Sequence, residues 1–138
     1  MSLLVDCYMN ATINTMETVL HGPRRIAAGT RRVCLPTAIT KELGWRKGAL
    51  SVTVRRHRSR AELLVEACPR EELRRELSSH RPRPFDRQGQ VTLPVGLMME
   101  LGLGDEQPWV YFARASRPRG VRIIPQPIAL RGWGQVSA

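Results

Sequence analysis

The sequence predicts a mainly β fold built from two tandem repeats, each with a short helix, plus a helix in the linker between them. Three observations predict it. Val33-Cys34-Leu35-Pro36 overlays Val91-Thr92-Leu93-Pro94 at an offset of 58, and the residues that follow stay in register without a gap. Apolar residues come in short alternating runs broken by proline and glycine, as strands and turns require. The 138 residues are 42% hydrophobic but only 5% aromatic, so a single modest core must rest on Leu, Val, Ile and Met.

The register extends well past the tetrapeptide. Glu42-Leu43-Gly44 falls on Glu100-Leu101-Gly102, Val52 on Val110, Arg56 on Arg114, and Leu63 and Val65 on Val121 and Ile123. In the first copy, Arg32–Leu35 alternates like a half-buried strand, and Pro36, lacking an amide donor, ends the ladder and suits the first turn of a helix. Thr37–Leu43 supplies that helix, with Ile39 and Leu43 on one face and Gly44 placed to stop it. A turn at Trp45-Arg46-Lys47-Gly48 leads to strands over Ala49–Arg55 and Ala61–Glu66, joined by the basic loop Arg56-His57-Arg58-Ser59-Arg60.

The second copy repeats the order. A strand is expected over Gln90–Leu93, a helix over Val95–Leu101 with Leu97 and Leu101 on one face, a turn over Gly102–Pro108, and a hairpin from Trp109–Ala113 and Val121–Ile124. Each copy needs an opening strand, placed around Arg24–Ala28 and around Pro84–Asp86. Pro69–Leu77 reads as a linker helix, with acids early and Leu73 and Leu77 four apart. The resulting organisation is an N-terminal extension over 1–21, repeats over 22–67 and 85–126 forming one pseudo-dimeric domain, a linker over 68–84 and a tail over 127–138.

Charge narrows the partners. The net charge is +10, and residues 21–60 alone hold eleven bases against one acid, whereas 1–20 hold two acids and no base. Such clustering attracts polyanions and is more than a uniformly solubilising surface needs. No apolar run is long enough for a membrane span, and the opening residues lack the basic start and cleavage site of a secretion signal, so the chain is expected in the cytoplasm with no membrane partner. Cys7, Cys34 and Cys68 are odd in number and widely spaced, which gives neither a disulfide framework nor a zinc site.

The two motif sets, Thr30-Arg31-Arg32-Val33-Cys34-Leu35-Pro36 with Glu42–Gly48 and Gln88-Gly89-Gln90-Val91-Thr92-Leu93-Pro94 with Glu100–Asp105, resemble the AbrB/MazE/SpoVT swapped-hairpin superfamily. Its units read Gly-Arg-Val-Thr-Ile-Pro, a short helix ending in Leu-Gly, then Lys-Pro-Gly-Asp and a hairpin. The resemblance implies a swapped-hairpin AbrB-like β-barrel, since one unit alone would expose sheet edges and half a core. Two units in one chain are similar to the MraZ group of regulators. Those units carry Asp, three residues, then Arg; here the first copy has Ala28 and Arg32 and the second Asp86 and Gln90, so each keeps half of the pattern.

The resemblance also implies the function: a cytoplasmic, nucleoid-associated regulator of transcription whose partner is double-stranded DNA and which assembles as a homo-oligomer. Contacts in the superfamily come from basic residues around the first two strands and their loop. On this sequence those are Arg24, Arg25, Arg31 and Arg32 in the first copy and Arg81, Arg83, Arg87 and Gln90 in the second. An arginine fork can grip phosphate or the O6/N7 edge of guanine, and a glutamine amide can read adenine. The first copy, being more basic, is expected to supply most phosphate contacts. Arg56, Arg58 and Arg60 form either a solvated hairpin tip or an auxiliary phosphate contact.

Two rivals remain at the level of sequence. A MazE-like antitoxin would bind DNA and cover a toxin with an extended acidic tail, but 127–138 is short and has Arg131 as its one charged side chain. An enzyme finds little support: His21, His57 and His80 show no HExxH spacing, and there is no phosphate-cradling loop or nucleophile motif. Cys34 sits where the second copy has Thr92 and reads as small strand filler. No catalytic residue, metal or cofactor is therefore expected.

Overall fold

The computed structural model describes residues 19–57, 60–68, 82–103 and 108–137, with side chains as far as 131 in the last stretch. The expected linker helix over 69–77, and with it Arg58 and Arg81, lies outside the described residues. The first half runs β1 (His21–Arg25), β2 (Arg32–Cys34), α1 (Thr37–Glu42), β3 (Leu50–Arg56) and β4 (Leu63–Ala67). The second runs β5 (Arg83–Phe85), β6 (Gln90–Thr92), α2 (Val95–Glu100), β7 (Trp109–Ser116) and β8 (Arg119–Pro125), and α3 (Gln126–Ser137) follows.

Local chemistry accounts for most of these boundaries. On β2 and β6 the central Val33 and Val91 are buried while their neighbours on either side are not, the signature of a strand covered on one face. Pro36 and Pro94 sit one position earlier than a first-turn proline: both are helix N-caps in extended conformation. The Pro36 carbonyl accepts bonds from the Ile39 and Thr40 amides at 3.1 Å each, and its missing N–H costs the helix nothing because an N-cap amide has no intrahelical acceptor. Each helix closes at Gly44 or Gly102, with φ of 74° and 71°. On α2 the buried residue is Met98, and Leu97 and Leu101 pack beside the core half-buried.

All strand pairings are antiparallel. Six strands form one curled half-barrel sheet in the order β1-β7-β8-β4-β3-β5, and β2 and β6 pair as a separate ribbon. The opening strand of each half pairs with the hairpin of the other: β1 with β7, and β5 with β3. Residues 58 apart face each other where the halves meet, Val33 opposite Val91 and Leu64 opposite Arg122. The hairpins share one register under the same offset, with Arg56 opposite Leu63 and Arg114 opposite Val121.

The main core fills the space between the half-barrel, the ribbon and the two short helices. Val33, Leu35 and Ile39 from the first half meet Val91, Leu93 and Met98 from the second, with Phe85, Phe112, Val52, Val110, Leu63 and Ile123 beneath them. Neither half encloses this cluster alone, so burial itself joins them. A second, smaller cluster lies on the outer face, where Ile128 and Ala129 of α3 pack on Ala113, Ile124, Tyr111 and Leu20.

Three features depart from the sequence expectations. The opening strand of the first half spans His21–Arg25 and not Arg24–Ala28, because Arg24 and Arg25 pair with Val110 and Trp109 and Ile26 turns inward, its amide bonded to the Pro108 carbonyl at 3.0 Å. The loop that follows is one residue longer than its counterpart: Ala27 donates to the Arg32 carbonyl as Asp86 donates to that of Gln90, so Ala27 and not Ala28 corresponds to Asp86. The segment read as a tail is largely helical, held by the packing of Ile128 and Ala129. Among the described residues no helix is long and apolar enough to cross a membrane.

Candidate nucleic-acid interface

The ribbon is three residues long on each strand, with Arg32 opposite Thr92, Val33 opposite Val91 and Cys34 opposite Gln90. Because the central valines point into the core, alternation turns Arg32, Cys34, Gln90 and Thr92 to the other face. That face carries no acidic side chain. Arg32 is exposed, and Cys34, Gln90 and Thr92 are half-buried.

Two loops flank the ribbon, one per half, and each is bonded to the opposite strand end. The Leu93 amide donates to the Arg31 carbonyl at 2.9 Å, and the Leu35 amide to that of Gly89 at 3.0 Å. Arg31 and Gly89 occupy the same left-handed position, with φ of 58° and 76°. A non-glycine residue there is strained by roughly 1–2 kcal/mol. Arg31 offsets this with a bond from its own Nε to the Leu93 carbonyl, 3.1 Å long and part-buried. In the second loop Asp86 does the bracing, accepting the Gln88 and Gln90 amides on Oδ1 at 2.9 and 2.8 Å.

Basic residues gather around this frame. Arg24 and Arg25 are exposed on β1, and Arg25 lies over the Trp109 ring at 5.0 Å. Arg87 is exposed on the second loop, its Cγ so close to Gly48 that a Cβ there would come within 2.9 Å of it. Lys47 reaches the same loop, its Cε 3.0 Å from where a Gly89 Cβ would stand. Sequence reasoning treated Lys47 as part of a turn; its one signal was membership of the basic stretch. Arg83 is half-buried on β5 opposite Val52.

Four arginines of the strands are held in ion pairs. Arg55 pairs with Glu66, Arg56 with Glu100, Arg114 with Glu42 and Arg122 with Glu62. Among the described residues Arg24, Arg31, Arg32, Lys47 and Arg87 form no ion pair. Uncompensated positive charge lies around the ribbon and its loops, as it also does at the exposed Arg46, Arg60, Arg117 and Arg131, and is available to an outside anion.

The hairpin tip is built differently. Arg56 donates from Nε to the Arg60 carbonyl at 3.0 Å and faces Glu100, so its charge is engaged; Arg60 is exposed. His57, expected in a loop, is buried, with Nδ1 2.9 Å from Glu62 Oε1. Arg122 grips the same carboxylate with two bonds, 2.6 and 3.1 Å. Burial raises the Glu62 pKa, but the hydrogen bonds and charges of Arg122 and His57 outweigh it and hold the carboxyl below its ordinary range. The cluster ties the residue before β4 to β8. Among the described residues no group of three or more metal-ligating side chains comes together.

No protein-family model matches the sequence, and comparison with curated proteins and with solved structures likewise gives no match.

Proposed function

We propose that this chain is a sequence-specific double-stranded DNA-binding transcription regulator, its barrel an AbrB-like swapped hairpin of two tandem repeats. The observation that carries the reading is the gathering of Arg24, Arg31, Arg32, Lys47 and Arg87 around the β2–β6 ribbon, none of them ion-paired to another described residue. A two-stranded ribbon fits the major groove, and its outward Arg32 and Gln90 have side chains suited to base edges. Arg24, Arg25, Arg31, Arg87 and Lys47 supply charge for phosphates on either side. The reciprocal pairing of β1 with β7 and β5 with β3, and the facing of residues 58 apart, support the duplicated-unit interpretation. Arg83 belongs to the same proposed surface, Arg81 lies outside the described residues, and the proposal extends to assembly of chains into a homo-oligomer and residence with the nucleoid.

The test is a competition titration. A duplex fragment selected from genomic DNA should stay bound in the presence of a charge-equivalent excess of heparin, and a scrambled duplex should not. Equal displacement of both would reduce the protein to a general polyanion binder and defeat sequence-specific regulation.

A further inference from the structure

The two arms of the ribbon are not chemically equal, and from this we infer that the protein reads a non-palindromic site, with guanine favoured in one arm and adenine at the mirrored position of the other. The inference deepens the DNA-binding reading and rests on it. The offset of 58 places Val33 opposite Val91, so the pseudo-two-fold axis passes between them and exchanges Arg32 with Gln90 and Cys34 with Thr92. The backbones of β2 and β6 match under this exchange, as do the paired bonds from Leu93 to Arg31 and from Leu35 to Gly89. The outward chemistry does not match.

Arg32 offers donors alone, in a planar fork that suits the two acceptors O6 and N7 of guanine. Gln90 offers one donor and one acceptor, which suits N7 and the amino group of adenine. Neither side chain forms a hydrogen bond or ion pair to another described residue, so each is available to a base. Asp86 receives the Gln90 backbone amide and leaves the side chain unengaged. The loops add to the inequality: the Arg32 arm has the longer loop and Arg31, whereas the Gln90 arm has Gly89 and a carboxylate-braced turn. A symmetric dimer binding a palindrome presents one side chain twice; this chain presents two different ones, once each.

Selection from a randomised duplex library by the full chain and by Gln90→Arg and Arg32→Gln tests this. The unaltered protein should return a motif whose two arms differ, guanine and adenine each enriched about tenfold over the alternatives at mirrored positions. Gln90→Arg should bring guanine to both arms, and Arg32→Gln adenine to both. Gln90→Ala, which adds no bulk, should erase the adenine preference and keep the guanine, and matched urea midpoints verify folding. The same base enriched at the two mirrored positions of one ribbon's footprint by the unaltered protein, or an unchanged motif from the two exchanged variants, overturns the inference. Duplex binding without any enriched sequence overturns it too, along with the sequence-specific part of the proposed function, while DNA binding itself survives. Failure to bind duplex DNA removes the parent reading and this inference together.

Discussion

Arg114 Nη1 lies 3.3 Å from Glu42 Oε2, and 58 residues away the relation recurs in reverse, with Arg56 Nη1 3.6 Å from Glu100 Oε1. Each pair joins the hairpin of one half to the helix end of the other. The recurrence of Glu-Leu-Gly and of the strand arginine thus has one structural cause, a mutual contact between halves. All four side chains are partly exposed, so each pair is worth at most about 1 kcal/mol.

Arg56→Ala should therefore lower stability by no more than about 1 kcal/mol and leave duplex affinity within about twofold. Urea denaturation and an anisotropy titration check both. A large loss of affinity with unchanged stability would show that Arg56 serves phosphate as well as Glu100.

Arg31→Gly separates strain from charge. Glycine relieves the left-handed strain, roughly 1–2 kcal/mol, but removes the Nε bond to the Leu93 carbonyl, worth about as much. Stability should stay within about 1 kcal/mol while DNA affinity falls. Unfolding of the variant, or unchanged affinity, would contradict this division of roles.

The first half should dominate binding. Arg31→Ala with Arg32→Ala is expected to weaken duplex affinity more than Arg87→Ala with Gln90→Ala, since three of those four positions are cationic and the first pair holds two of them. Titrations at one salt concentration, with far-UV circular dichroism to verify folding, give the order; the opposite order would sink the asymmetry.

Acid should loosen the sheet at Glu62. Its carboxyl titrates lower in the folded chain than in the unfolded one, so the folded state holds fewer protons in that range. Its stabilisation is present above the ordinary carboxyl value of 4.5 and is lost as pH falls toward and through the depressed folded value. Glu62→Gln should cost about 3 kcal/mol near neutrality, because Arg122 and His57 lose their buried anion, and should flatten the decline of stability from pH 5 to pH 3. Urea midpoints across that range decide; an equally steep decline in the variant would place the acid sensitivity elsewhere.

Much of this fold was readable because pattern and packing agree locally. Val33 and Val91 sit between outward residues, Pro36 and Pro94 precede helices, and Gly44 and Gly102 end them, so β2, β6, α1 and α2 were found to within a residue or two. β1 was misplaced because His21-Gly22-Pro23-Arg24-Arg25 contains no aliphatic side chain and owes its strand form to β7 of the other half. Helix α3 was missed because Pro127, Gly132 and Gly134 weaken its intrinsic propensity, and its support comes from Ala113 and Ile124. The Arg122–Glu62 contact spans 60 positions, and the approach of Lys47 to Gly89 depends on two turns interlocking. Neither leaves a local trace. For the candidate interface, residue type and charge density point to the arginines, but only the fold shows which of them face an acid.

The most direct test of the central claim is the dependence of duplex affinity on salt, measured by anisotropy for the unaltered chain and for Arg32→Ala. If about six phosphates are engaged, log K should fall against log salt with a slope near −5. Arg32→Ala should cost about tenfold in affinity for the selected site, from lost base contact, and change the slope by no more than about 1. A duplex affinity that does not vary with salt, or that is the same in Arg32→Ala, would contradict a DNA-binding ribbon.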